Sequence, residues 1–169
     1  MISRMTERTI GSTTDRRWPF KLEDTMPLAW WRCLPSDALR DAEHLVLIAT
    51  LERISVLHGD DKFAVALEGD AAAAIAVALS LMPIGSITLQ TDIAMSALLR
   101  CALDRSAAAA LVLSQILGLT DLGHGLSIEL AASWFAHGRR HAIDPRKFSQ
   151  AETALVATFR ARRRDGAHA

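Results

Sequence analysis

The chain has 169 residues, of which 50% are hydrophobic and 22% are charged, which suits one globular domain and excludes a disordered chain. Nineteen Lys/Arg balance nineteen Asp/Glu, so overall charge excludes a general polyanion binder. The chain lacks tyrosine, is rich in alanine and leucine and has few β-branched residues, a composition that favours helices.

The charges are unevenly placed along the chain. Residues 27–135 hold six Lys/Arg and twelve Asp/Glu, whereas residues 136–169 hold eight Lys/Arg and three Asp/Glu. This distribution predicts an acidic body with a basic C-terminal end. Two interpretations remain open: the basic end lies against the acidic body of the same chain, or it contacts a partner.

Residues 1–26 lack the apolar run of a secretory signal. They are predicted to form a flexible N-terminal arm, as the ends of a domain often do. The arm can be ordered by docking its "WPF" stretch onto the body or onto a partner. Trp18, Trp30 and Trp31 are candidate anchors of a protein interface, since tryptophan is enriched at such anchors. Burial of the Trp30–Trp31 pair in the core is the alternative.

Residues 27–169 are predicted to form an all-α domain, a single bundle-like unit of five to seven helices. Ser36 is the predicted N-cap of the first long helix, which ends at Gly59. The segment 63–68 is ambiguous: we favour a helix, and the alternative is an α+β fold with short strands at 63–68 and 86–90. The acids at 59–61 and 68–70 could serve acid–base chemistry, but they lie where helix caps are needed.

Residues 71–91 carry no charge and are long enough to span a bilayer. Pro83 and Gly85 interrupt them, and their flanks are acidic rather than basic. We therefore expect a buried helix and no contact with a membrane.

The C-terminal half is predicted to contain three helical stretches. The first is capped by Thr91 or Asp92, breaks near Asp104 or Ser106 and ends at Gly118. The second is capped by Ser127 and ends at Gly138. The third covers 149–165, starting at a capping box formed by Ser149 and Glu152.

Three histidines are weak candidates for a metal site. His137 and His141 have the i, i+4 spacing of helical zinc ligands, and His124 lies thirteen residues before His137. The acid of an H-E-x-x-H motif is missing, and a helix that ends at Gly138 would separate the two rings. We expect no metal and no other cofactor.

No nucleophile elbow or phosphate-binding loop is present, so we expect no enzyme. Cys33 and Cys101 match no zinc spacing or disulfide framework, which suggests reduced thiols and a cytoplasmic location.

The basic end offers the clearest candidate contact residues, because clustered arginines can meet phosphates or an acidic surface. The helix predicted from Ser127 carries no Arg, Lys, Asn or Gln suited to reading base edges. The function we expect is a binding or regulatory subunit that contacts a protein partner or a second copy. The alternative is a nucleic-acid-associated protein that contacts phosphates. The candidate contacts are Arg139, Arg140, Arg146, Lys147, Arg160, Arg162, Arg163 and Arg164.

Overall fold

The structure, a computed structural model, describes residues 18–55 and 61–167. Within these ranges it contains eight α-helices and no strand, so the all-α prediction is confirmed and the strand pair at 63–68 and 86–90 does not form. Seven of these helices have more than one turn. The helices are α1 (Trp30–Cys33), α2 (Asp41–Ser55), α3 (Asp61–Leu67), α4 (Ala71–Ser80), α5 (Leu89–Leu103), α6 (Ala107–Leu119), α7 (Ser127–His141) and α8 (Pro145–Ala167).

Helices α5 and α6 form the centre of the domain. Both are apolar on most of their circumference, and each buries a long run of side chains, as expected of helices packed on several sides. A tight turn joins them, and the Ser106 hydroxyl caps α6 by accepting a hydrogen bond from the Ala109 amide at 3.2 Å. The break predicted near Asp104 or Ser106 is therefore confirmed.

Helices α6 and α7 pack against each other as an antiparallel hairpin. Gly118, near the end of α6, faces Ala131 near the start of α7, and Gly138, near the end of α7, faces Ala107 and Ala110 at the start of α6. Small residues at both ends let the two backbones approach closely. The prediction that Gly138 ends a helix is wrong, because α7 runs through it to His141.

Several predicted helix starts are also wrong. Helix α2 begins at Asp41, and Ser36 lies in a short 3-10 turn. The Ser36 hydroxyl instead lies 2.9 Å from the Ser133 hydroxyl of α7. Thr88, rather than Thr91 or Asp92, caps α5 by accepting from the Thr91 amide at 3.2 Å.

Three further boundaries differ from the predictions by one to four residues. Helix α6 ends at Leu119, one residue past Gly118, and Ser127 is the first residue of α7 rather than its cap. The last helix begins at Pro145 rather than at the capping box of Ser149. The Asp144 carboxylate caps this helix, accepting from the Arg146 amide at 2.9 Å.

Two predictions about the first half hold. Helix α3 covers the ambiguous segment and is followed by Gly69 in a left-handed conformation (φ 104°). Asp70 caps α4 by accepting from the Ala73 amide at 2.8 Å. The predicted helix end at Gly59 and the acid at residue 60 lie outside the described residues.

The described part of the predicted arm lies on the body. The Trp18 indole donates a hydrogen bond to the Cys33 carbonyl at 2.6 Å, and the Phe20 ring packs 5.0 Å from the His124 ring. Residues 1–17 lie outside the described residues. In the part of the chain that the structure describes, no helix combines the length and apolarity needed to cross a bilayer.

Candidate partner-binding surface

The basic end forms two clusters at opposite ends of one surface. The first cluster joins the end of α7 to the first turn of α8, and the second lies in the last turns of α8. Helix α8 has 23 residues and is about 34 Å long, so the clusters are far apart. The exposed members are Arg139, Arg140, Arg146 and Lys147 in the first cluster, and Arg160, Arg162 and Arg164 in the second. The side chain of Arg163 lies outside the described residues.

Among the side chains that the structure describes, the basic end forms no ion pair with the acidic body. The single ion pair among those side chains joins the Arg32 Nε to the Asp92 Oδ1 at 3.0 Å, within the body. Arg162 does contact the body, donating to the carbonyl of Leu79 at the end of α4, where a cation also meets the negative end of the helix dipole. The other described cations of the basic end are exposed and have no ion-pair partner among the described side chains.

Between the two clusters, the outer face of α8 carries mostly small, uncharged side chains. The exposed side chains from Ser149 to Ala161 include one cation, Arg160, and no acid; Glu152 is half-buried. Phe148 and Phe159 are buried and anchor the opposite face to the body. A solvated helix face normally carries charges, so this face resembles a contact surface more than a free one. Its other exposed residues are Gln150, Ala151, Thr153, Ala154, Ala157 and Thr158.

An open apolar groove of about 430 Å³ lies beside α8, between α6 and α7. Ile128 and Leu119 line it with 75% and 37% of their surface exposed. The Phe135 ring forms one wall and packs against the Phe148 ring, with centroids 5.4 Å apart. Apolar side chains left exposed together in a groove mark a surface that another molecule can cover.

Two of the three tryptophans proposed as interface anchors are core residues. Trp31 is fully buried and Trp30 is 5% exposed. The Trp31 indole donates to the Asp92 Oδ1 at 2.8 Å, and the same oxygen accepts from the Arg32 Nε at 3.0 Å. Trp30 and Trp31 therefore offer no surface to a partner, and half-buried Trp18 is tied to Cys33.

Two of the three candidate histidines, His124 and His137, have structural hydrogen bonds. His124 is bonded through both ring nitrogens: Nε2 lies 2.6 Å from the Arg32 carbonyl, and Nδ1 accepts from the Leu126 amide at 3.2 Å. His137 Nε2 lies 2.9 Å from the Ala102 carbonyl. A carbonyl can only accept and an amide N–H can only donate, so Nε2 of His124 donates to Arg32 and Nδ1 accepts from Leu126.

The continuous helix brings His137 and His141 together, with ring centroids 4.6 Å apart. Burial lowers the pKa of His137, and the nearby His141 and Arg140 add to this, against the opposing hydrogen bond to Ala102. The described residues contain no group of three or more possible metal-ligating side chains. The two rings of the pair pack edge to face at the end of α7.

Both cysteines are buried. Burial raises the pKa of Cys33 and raises that of Cys101 to about 11. Thiolates rather than thiols are nucleophiles, so neither thiol is activated at neutral pH.

Sequence reasoning missed the exposed apolar residues Leu119, Ile128 and Ile143. Each lies at a helix end or in a connection, where periodicity does not show which side faces solvent. It also missed Arg105, whose position after α5 gave no signal.

Comparison of the chain with known protein families, with curated proteins and with solved structures found no match.

Proposed function

We propose that the chain is a cytoplasmic, non-enzymatic binding or regulatory subunit that docks an acidic protein partner on α8. The partner covers the uncharged outer face of α8 and reaches into the groove lined by Leu119 and Ile128. Its acidic side chains meet the cation clusters at the two ends.

The observation that carries this proposal is the pattern of exposure on α8. Seven exposed cations lie at the two ends of the surface, without an ion-pair partner among the described residues. An uncharged middle lies between them, beside apolar side chains that are left open. Interfaces combine an apolar, uncharged centre with a polar rim, and opposite charges at the rim favour association and specificity.

Nucleic-acid binding is the second candidate, because the same unneutralised cations attract phosphates. The wide spacing of the cations along α8 argues against this candidate. Arg146 and Arg164 are about 27 Å apart along α8, whereas duplex DNA carries a charge about every 1.7 Å. A phosphate backbone laid along the helix would pass an uncharged middle with few charge contacts.

The test uses substitutions that place an acid on the proposed surface. Ala157→Glu changes an exposed alanine on α8, and Ala49→Glu changes an exposed alanine on α2. Proteins that co-purify with the native chain are identified, and the purified partner is titrated against each variant by calorimetry. We expect Ala157→Glu to weaken binding about tenfold or more, as for a central interface residue, and Ala49→Glu to leave it unchanged.

A second pair tests the groove. Ile128→Asp and Leu45→Asp replace apolar residues that are 75% and 66% exposed, and only the first lines the groove. Equal binding by both members of either pair would overturn the proposal. Salt-sensitive binding of a duplex oligonucleotide, reduced by Arg160→Gln and Arg164→Gln, would favour the second candidate instead.

A further inference from the structure

A second open cavity, of about 450 Å³, lies at the other end of α6. The buried side chains of Leu111 and Phe148 contribute to its wall. Three basic residues from three separate segments also line it: Arg105 from the turn after α5, His141 from the end of α7 and Lys147 from the first turn of α8. The chain thus brings together basic groups that are distant in sequence, around an apolar centre.

One acid, Asp144, also lines the cavity. Its Oδ1 accepts hydrogen bonds from the Arg146 amide at 2.9 Å and the Lys147 amide at 3.4 Å. This carboxylate therefore serves the N-terminus of α8, and it forms no ion pair with Arg105 or Lys147 in the described structure. The cations of Arg105 and Lys147 against this one occupied carboxylate leave the rim with an excess of positive charge.

Arg105 has a conformation that its turn does not favour for an arginine. Its φ is 67°, in the left-handed region that glycine adopts most easily. The turn closes α5 with two hydrogen bonds, from the Arg105 amide to the Ala102 carbonyl and from the Ser106 amide to the Cys101 carbonyl. Glycine is the usual residue at this point of such a turn, so backbone geometry does not explain the arginine.

We propose that this cavity binds a small molecule with a carboxylate on an apolar body. The carboxylate would lie at the rim formed by Arg105 and Lys147, and the apolar body on Leu111, Phe148 and Ile143. The volume lies within the range of about 300–1,000 Å³ that is typical of small-ligand sites. An apolar lining with a few polar groups is also typical of such sites.

The site adjoins the proposed partner surface and shares Lys147 with it. Phe135 lines the groove beside α8, Phe148 lines the cavity, and the two rings are in contact. Arg105 lies outside the partner surface, so Arg105→Gly tests the ligand site without changing that surface, and either proposal can fail without the other.

The experiment titrates octanoate into the full-length protein by calorimetry and by amide NMR. Octanol tests the apolar body alone, and acetate tests the charge alone. We expect saturable binding of octanoate, with amide shifts around residues 105–111 and 141–151. Octanol should bind at least tenfold more weakly, because it lacks the charge-assisted hydrogen bonds of the carboxylate. Acetate should also bind at least tenfold more weakly, because it lacks the apolar chain whose burial favours binding.

Two variants and one control locate the site. Arg105→Gly removes the cation while favouring the left-handed turn, so the fold should be retained, and thermal unfolding checks this. Arg105→Gly and Lys147→Gln should each weaken octanoate binding about tenfold, whereas Arg139→Gln, an exposed arginine outside the cavity, should not. No saturable binding, equal affinity for octanol, or unchanged binding by Arg105→Gly would overturn the proposal.

Discussion

Gly138 offers the sharpest test of how α6 and α7 pack. A Cβ at this position would lie 3.1 Å from the Ala110 Cβ, 3.2 Å from the Ala107 carbonyl oxygen and 3.3 Å from the Phe148 ring. Carbon atoms in contact prefer about 3.5–4.0 Å. Two of the three neighbours are backbone or Cβ atoms of α6, so relief requires the two helices to separate by several tenths of an ångström.

The magnitude follows from two opposing effects. In a helix, alanine is favoured over glycine by about 1 kcal/mol, and forced overpacking costs about 1–3 kcal/mol. We therefore expect Gly138→Ala to lower the free energy of unfolding by about 1 kcal/mol. Gly118→Ala is the matched control, because its nearest neighbour would be the Ala131 Cβ at 3.7 Å, an ordinary contact. It should raise the free energy of unfolding by about 0.5 kcal/mol, about half of the full preference, because Gly118 is the second-last residue of α6.

Urea unfolding followed by tryptophan fluorescence measures both variants, since Trp134 of α7 is fully buried. The difference between the variants should be about 1.5 kcal/mol, which shifts the midpoint without changing the slope. If Gly138→Ala stabilises the protein as much as Gly118→Ala, the close approach of the two helices at Gly138 is refuted.

Two further predictions concern buried polar groups. Asp92→Ala should lower the free energy of unfolding by about 2–3 kcal/mol. The reason is that it leaves the Trp31 indole and the Arg32 guanidinium without their acceptor. A loss under about 0.5 kcal/mol in urea unfolding would contradict this prediction. Burial lowers the pKa of His137 from 6.5, so on acidification the unfolded chain takes up a proton first. The free energy of unfolding should be unaffected by His137 above pH 6.5 and should decline as the pH falls through the lower pKa of the folded state. His137→Gln should flatten the pH dependence, and an unchanged dependence would count against it.

The sequence predicted the helical class and most helices, because composition and the placement of Gly and Pro are local signals. It failed on several helix starts, since Ser, Thr and Asp are frequent and several can cap a given helix. Ser36 shows the reason: its hydroxyl pairs with that of Ser133, 97 residues away. Only the fold decides which of several capping residues is used for another contact.

The candidate surface was predicted in part. The uneven charge along the chain indicated the basic end, and its exposed side chains follow from the preference of arginine for solvent. The sequence could not show whether Trp30 and Trp31 are buried or exposed, because tryptophan is found in both cores and interfaces. Gly138 was misjudged because a glycine that ends a helix and one that lets two helices approach look the same in a single sequence.

The placement of cations on α8 argues against a purely intramolecular explanation. Cations stabilise the C-terminal end of a helix through its dipole, and destabilise the N-terminal end. Arg164, in the last turn, fits the first rule, but Arg146 and Lys147 occupy the first turn. The Asp144 carboxylate offsets them there by capping the helix. Since helix stability does not explain Arg146 and Lys147, and neither forms an ion pair in the described structure, contact with something outside this helix accounts for them better.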